Sequence, residues 1–148
     1  MINIKDYFKS SSELILKLHT HGKEITAISN EILKCKKNKK KILVAGNGGS
    51  CSDAEHFVGE LQCTYKDRER DSISAISLAS LPAALTAWSN DFGFLTFFKR
   101  QVQAHGISGD ILFLISTGGG DEKSGTSMSL VEAAKEAKKR NLKIISLV

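Results

Sequence analysis

The chain has 148 residues, of which 41% are hydrophobic and 25% charged, a composition typical of one soluble globular domain. A chain of this length can bury a core without disulfides or a structural metal. Much of its net charge of +5 comes from a lysine-rich run, residues 34–41. We interpret this run as a solvated helix end, where cations are favoured. Because no aromatic residue interleaves with it, we expect no direct nucleic-acid binding.

The cysteines and the apolar runs bear on where the protein works. Cys35, Cys51 and Cys63 form no CxxC pair, so neither a zinc ribbon nor a disulfide framework is predicted. The first ten residues contain no signal-peptide apolar region, and no apolar run reaches membrane-spanning length. We therefore expect a cytoplasmic protein with reduced thiols and no membrane partner.

The first predicted element is helical, from about Ile4 to Cys35, because apolar residues recur at three- and four-residue spacings. Gly22 is expected to divide it into two helices. This segment must pack either on the rest of the domain or on another subunit.

Strands and helices alternate through the remainder of the chain. Apolar runs predict strands at residues 41–46, 73–78, 110–115 and 142–147. Helices are predicted at about 52–62, 82–88, 92–104 and 128–140. This alternation predicts βαβ units and a three-layer α/β fold, with helices flanking a parallel sheet. The whole chain, 1–148, then forms one domain with its α/β core at 40–148.

The first of two unusual loops, residues 46–50 (Gly-Asn-Gly-Gly-Ser), follows a predicted strand and opens a helix. Its glycines allow close approach of a ligand, and the helix start favours an anion. An ordinary tight turn is the alternative. Ser50 or Ser52 is expected to cap the helix, with Asp53 and Glu55 in its first turn. Neither a dinucleotide fingerprint nor a Walker loop is present.

The second loop, residues 116–127, also connects a strand to a helix. Hydroxyl side chains at 116, 117, 124, 126 and 127 could surround a phosphate group without any lysine. A flexible surface loop is the alternative. Asp121 and Glu122 would repel phosphate, so we expect both to face solvent.

Two further pairs of polar residues have open interpretations. His56 and Glu60 stand four residues apart and share one helix face, where they could bind zinc, move a proton or form a surface hydrogen bond. Asn90 and Asp91 could simply open the next helix as a cap.

Taken in order, these segments resemble the phosphoheptose isomerases of the sugar isomerase (SIS) superfamily. Leu-Val-Ala-Gly-Asn-Gly-Gly-Ser at 43–50, Asp-Ala-Glu-His-Phe at 53–57 and Glu-Leu at 60–61 resemble that family's first active-site segment. Asn-Asp-Phe-Gly-Phe at 90–94, Gly-Asp-Ile-Leu at 109–112 and Ile-Ser-Thr at 115–117 resemble its later segments. The resemblance covers most of the chain from about residue 40.

The resemblance implies a flavodoxin-like SIS fold and a homotetramer with active sites between subunits, in which the helical segment 1–38 serves oligomerisation. It also implies conversion of sedoheptulose 7-phosphate to D-glycero-D-manno-heptose 7-phosphate through an enediol, for bacterial lipopolysaccharide or capsule heptose. Glu60 would be the catalytic base, and His56 and Glu60 would bind zinc. The implied substrate-binding residues are Asn47, Gly48, Gly49, Asn90, Asp91, Ser116, Thr117, Ser124 and Ser127.

The chain departs from the family pattern in three places. Residues 118–123 form a six-residue insertion in the phosphate loop, which could reshape substrate choice. Cys63-Thr64 stands where many relatives have Gly-Arg, so one contact with an anionic substrate would be lost. Val148 precedes the family segment that supplies a glutamine and a histidine to the zinc site, so we expect a truncated chain with an incomplete site.

These departures leave two alternatives open. The first is a non-catalytic SIS module, either a sugar-phosphate sensor or a partner-binding protein like the relatives that bind the replication initiator. The second is an isomerase of a different sugar phosphate.

Overall fold

The computed structural model describes residues 3–64 and 66–148, so the first two residues of the segment 1–38 lie outside it. The chain divides into two compact units, one ending at Leu33 and one spanning Lys34–Val148. None of the helices in the described ranges is long and apolar enough to cross a membrane.

The first unit is helical and is divided into two α-helices as predicted, but the break lies at Leu18–His21 and Gly22 begins the second helix. Its elements are α1 (Ile4–Lys17), a 3₁₀ turn (Leu18–His21) and α2 (Gly22–Lys37), whose last turn belongs to the second unit. Asn3 caps α1 by accepting the Lys5 N–H at 3.0 Å. Apolar side chains of α1 stay exposed; Phe8, Leu14 and Leu16 each expose about two thirds of their surface.

The second unit is an α/β core. Its elements are β1 (Ile42–Gly46), α3 (Gly49–Gln62), β2 (Ala75–Ser77), α4 (Pro82–Phe92), a 3₁₀ turn (Phe94–Thr96), α5 (Phe97–His105), β3 (Ile111–Ile115), α6 (Met128–Lys139) and β4 (Lys143–Leu147). All strands run parallel, in the order β2-β1-β3-β4. The predicted parallel sheet is confirmed, although β2 has only three residues.

The two central strands are buried because helices cover both faces of the sheet. All five residues of β1 are buried, as expected for a parallel strand read as one continuous apolar run. Leu43 and Leu112 pack in one core with Phe97 of α5. On the opposite face, the Phe57 ring of α3 lies 4.9 Å from the Phe113 ring. The predicted three-layer arrangement is therefore confirmed.

The stretch around Asn90 and Asp91 differs from the predicted helices. Both residues lie in the last turn of α4, which ends at Phe92 instead of Trp88, so neither opens the next helix. Gly93 takes a positive φ of 81° and ends α4, a conformation that favours glycine. The predicted helix 92–104 is consequently a 3₁₀ turn followed by α5.

Gly46 lies where β1 approaches the first turn of α3 most closely. A Cβ at this position would sit 2.4 Å from the Ser50 carbonyl oxygen. Since the obstructing atom is backbone, Gly46→Ala should destabilise the fold by about 2–3 kcal/mol. Gly59→Ala is the control, because no atom lies within 4 Å and alanine is the better helix former; it should stabilise by up to about 1 kcal/mol. Urea denaturation of both variants tests the contrast, and equal stabilities would contradict it.

Glu136 on α6 makes the fold sensitive to acid. Arg140 Nε donates to Glu136 Oε1 at 2.8 Å, and this hydrogen bond holds the pKa of the buried carboxyl below its ordinary value. A carboxyl with a lowered folded-state pKa stabilises the protein above its unfolded-state pKa, and that stability is lost as pH falls through the folded-state value. The Tm should therefore fall in acid, and fall less steeply in Glu136→Gln. Thermal denaturation across the acid pH range checks this prediction. The same fall of Tm with decreasing pH in wild type and in Glu136→Gln would refute it.

Candidate active site

The sheet order places the two unusual loops side by side. From β1 the chain moves outward to β2, whereas from β3 it moves the other way to β4. The carboxyl ends of β1 and β3 therefore flank the point where the connections diverge, which is where open α/β sheets bind ligands. The loop after β1 and the loop 116–127 after β3 meet at this point.

The loop after β1 turns directly into α3. Gly48 is the N-cap residue, with φ 56° and ψ −122°, and no side chain caps the helix. The expectation that Ser50 or Ser52 caps α3 is therefore wrong: the helix begins at Gly49, and its first turn contains no acidic residue. Ser50 N–H donates to the Asn47 carbonyl at 3.1 Å. In the described chain, the N–H groups of Gly48 and Gly49 have no acceptor outside their own helix.

Residues 121–126 form a hairpin within the loop 116–127, and this hairpin includes the second half of the predicted insertion 118–123. Asp121 and Thr126 exchange two backbone hydrogen bonds, each of 3.1 Å. The Asp121 carboxylate accepts the Lys123 N–H at 2.9 Å, and this bond lowers the pKa of Asp121. Glu122 Oε1 lies 2.6 Å from Lys135 Nζ on α6. Both acidic side chains are exposed, as predicted.

What we call the two-loop cleft comprises Asn47 of the loop after β1, Ser116 and Ser127 of the loop after β3, and Ser129 of α6. Asn47 Nδ2 donates to Ser129 Oγ at 3.2 Å, and Ser116 Oγ lies 3.4 Å from Ser127 Oγ. Ser127 is left-handed, with φ 50° and ψ 35°, a conformation that costs a non-glycine residue about 1–2 kcal/mol. Strain of this kind concentrates at functional sites.

Other predicted phosphate ligands lie outside the cleft contacts. Ser124 is exposed in the hairpin, where its Oγ lies 2.8 Å from Thr126 Oγ1. Thr117 is exposed as well. Of the four predicted phosphate-binding residues, Ser116 and Ser127 therefore take part in hydrogen bonds of the two-loop cleft, whereas Thr117 and Ser124 do not.

His56 and Glu60 form the predicted pair on one face of α3. His56 Nε2 lies 3.5 Å from Glu60 Oε1, with the two side chains 79% and 45% exposed. Within the ranges 3–64 and 66–148, no group of three or more histidine, cysteine or acidic side chains could hold a metal ion. Glu60 stands about 16 Å further along the helix axis than Gly49, at 1.5 Å per residue.

Arg70 secures the end of the helix that carries Glu60. Its Nη2 donates to the carbonyl oxygens of Glu60, at 2.8 Å, and Cys63, at 3.0 Å. Its Nη1 donates to the Leu61 carbonyl at 3.2 Å. A cation at a helix C-terminus also complements the helix dipole, so Arg70 fixes the backbone from which the Glu60 side chain projects.

Asn90 and Asp91 bond to each other. Asn90 Nδ2 donates to Asp91 Oδ1 at 2.8 Å, and both side chains are exposed at the end of α4. In the chain as described, no hydrogen bond joins this pair to the two-loop cleft or to Glu60.

The sequence pattern does not identify Ser129 as a site residue, because Ser129 lies beyond the hydroxyl-rich loop, which ends at Ser127. It lies in the first turn of α6, where it is only 5% exposed. A serine on the buried face of a predicted amphipathic helix was the one available signal.

Three comparisons bear on the identity of this fold. SIS domains match the chain over residues 6–148. The phosphoheptose isomerase of Campylobacter concisus is 46% identical over 111 residues, or 75% of this chain and 55% of the relative. That of Neisseria meningitidis serogroup C (strain FAM18) is 43% identical over 116 residues, or 78% of this chain and 55% of the relative. The chain spans about half the length of these curated relatives.

Solved structures agree with these relatives. A phosphoheptose isomerase from Francisella tularensis superposes with a TM-score of 0.88 at 34% identity, covering 97% of this chain and 72% of that one. The phosphoheptose isomerase from Neisseria gonorrhoeae superposes with a TM-score of 0.76 at 32% identity, covering 97% of this chain and 74% of that one. The present chain therefore belongs to the SIS domain family, among the phosphoheptose isomerases.

Proposed function

We propose that this protein is a cytoplasmic ketose–aldose isomerase that converts sedoheptulose 7-phosphate to D-glycero-D-manno-heptose 7-phosphate for bacterial surface heptose. The phosphate group of the substrate binds in the two-loop cleft. The observation that carries this proposal is the hydrogen bond from the Asn47 amide to Ser129 Oγ, which joins the loop after β1 to the start of the helix that follows the loop of Ser116 and Ser127. Family membership supplies the reaction class.

Neutral donors suit a phosphate dianion at this position. The start of α3 offers the N–H groups of Gly48 and Gly49, and the hydroxyls of Ser116 and Ser127 belong to the loop that follows the neighbouring strand β3. Thr117 and Ser124 complete the proposed phosphate contacts once a ligand draws the hairpin inward. Asn90 and Asp91 hold sugar hydroxyls, because their exposed amide and carboxylate can donate and accept.

Glu60 is the proposed base. Its carboxylate removes a proton from C1 of the ketose, giving an enediol, and returns a proton to C2. Meanwhile O1 loses its proton and O2 gains one, so the carbonyl moves from C2 to C1 without net oxidation. The Glu60 carboxylate is available for this transfer because it is partly exposed and, among the described residues, its only basic neighbour within 4 Å is His56.

Zinc is the proposed metal, and His56 and Glu60 would supply two of its ligands. An imidazole nitrogen and a carboxylate oxygen are donors that zinc uses, and both lie on one exposed helix face. The ion would polarise the substrate oxygens as a Lewis acid.

A homotetramer with shared active sites is the proposed assembly. The exposed apolar side chains of α1 need a partner surface in water. Because Glu60 stands far along α3 from the phosphate loops of its own chain, another copy is better placed to present its carboxylate to a bound sugar.

Proton NMR of sedoheptulose 7-phosphate in heavy water, with and without added zinc, tests this function. We expect an aldose signal and deuterium entering at C1. If the folded protein binds the sugar phosphate but neither signal appears, the chain is a non-catalytic sugar-phosphate binder instead.

Ser127→Gly separates the binding role of this serine from its structural role. Glycine accepts the left-handed backbone, so the free energy of unfolding should stay the same or rise by about 1 kcal/mol. Loss of the hydroxyl should weaken phosphate binding about tenfold. Ser127→Ala, which keeps the strain, should weaken binding equally without gaining stability. Calorimetric titration with sedoheptulose 7-phosphate checks this; unchanged affinity in both variants would remove Ser127 from the site.

A further inference from the structure

The Asn47 side-chain amide has a hydrogen-bond partner for its nitrogen but none, within the described chain, for its oxygen. Its Nδ2 donates to Ser129 Oγ at 3.2 Å. Its Oδ1 is buried and has no hydrogen-bond partner in the described part of the chain. A buried acceptor without a partner is costly to keep. Because the Asn47 residue as a whole is only half-buried, a molecule bound beside it can supply the missing donor.

The contact joins the loop after β1 to the start of α6. Asn47 follows β1, whereas Ser129 belongs to the first turn of α6, where it is 5% exposed. Alanine would fit the same space and is the better helix former. The specific contribution of serine at this position is thus its hydroxyl, which serves the Asn47 amide.

The free atom determines what it can recognise. Oδ1 is an acceptor only, and the monoester dianion of a sugar phosphate has no phosphate proton to donate to it. A sugar hydroxyl does. The orientation imposed by Ser129 therefore directs Asn47 toward the sugar portion of a ligand, while the hydroxyls of Ser116 and Ser127 remain for its phosphate.

We infer that Ser129 is a positioning residue, which fixes the Asn47 amide so that Oδ1 accepts a hydroxyl of the bound sugar phosphate. This inference rests on the proposed function, because it requires a sugar phosphate in the two-loop cleft. It assigns Ser129 no contact with the ligand.

Calorimetric titration with two ligands tests the inference. Ser129→Ala should weaken binding of sedoheptulose 7-phosphate about tenfold, whereas methyl phosphate, a monoester whose dianion has no O–H to donate, should bind as to wild type. Ser129→Thr, which keeps a hydroxyl, should restore most of the sugar-phosphate affinity. Because Ser129 acts through Asn47, adding Ser129→Ala to Asn47→Ala should cause no further loss.

The outcomes separate this inference from the function on which it rests. Wild-type protein that binds neither ligand contradicts the proposed function itself. Wild-type protein that binds both, with Ser129→Ala binding both equally well, contradicts the positioning role alone. Equal losses for the two ligands, or additive losses in the double variant, would also overturn it, because they indicate a general structural effect.

Discussion

Glu60→Gln is expected to lower the rate of deuterium incorporation at C1 of sedoheptulose 7-phosphate about a thousandfold or more. A glutamine amide has nearly the same shape as the carboxylate but cannot accept the C1 proton. Because the Glu60 side chain is 45% exposed and its ion-pair partner is an exposed histidine, the fold should be unaffected. Proton NMR in heavy water measures the rate, and thermal denaturation measures the stability.

Glu55→Gln is the matched control for this prediction. Glu55 is an exposed glutamate on the same helix, so the substitution makes the same change of charge outside the proposed machinery. We expect near wild-type exchange from it. Exchange that persists in Glu60→Gln, or that falls equally in both variants, would remove Glu60 as the base.

Asp110→Ala should destabilise the protein by about 3–5 kcal/mol without touching the proposed site. The Asp110 carboxylate is fully buried and accepts three hydrogen bonds. They come from Lys41 Nζ at 2.6 Å, Lys41 N at 3.1 Å and Ile107 N at 3.0 Å. Removing it leaves two backbone donors and an ammonium group without their acceptor. Urea denaturation should show the loss directly.

The pair between Lys36 and Asp71 provides the control. Its atoms lie 3.3 Å apart, but the Asp71 side chain is 88% exposed, and exposed ion pairs contribute little. Asp71→Ala should therefore cost less than about 1 kcal/mol. If the two substitutions lower the free energy of unfolding equally, burial does not explain the stabilising contribution of the Asp110 pair.

The parts of the fold that depend on continuous patterns could be predicted from sequence. The apolar runs of β1 and β3 and their alternation with helices determined the parallel, three-layer sheet. Helix ends were less predictable. The start of α3 depends on the unusual backbone of Gly48, which no side-chain cap signals, and so Ser50 and Ser52 were wrongly favoured as caps.

The candidate site was only partly predictable because contacts between loops are not visible along the chain. The glycines and serines identified which loops matter, and the resemblance ordered them. The pairing of Asn47 with Ser129 depends on the register of β1 with β3 and on where α6 begins. Likewise, the closure of residues 121–126 into a hairpin depends on Asp121 accepting local N–H groups, a pattern that glycine content concealed.

The location of the sugar-phosphate site is tested most directly by nitrogen–proton correlation NMR of the labelled protein during titration with sedoheptulose 7-phosphate. Binding in the two-loop cleft predicts the largest amide shifts at Gly48, Gly49, Ser116 and Ser127. Shifts confined elsewhere, such as the cavity of about 610 Å³ lined by Lys36, Lys39 and Lys40, would contradict the proposed site.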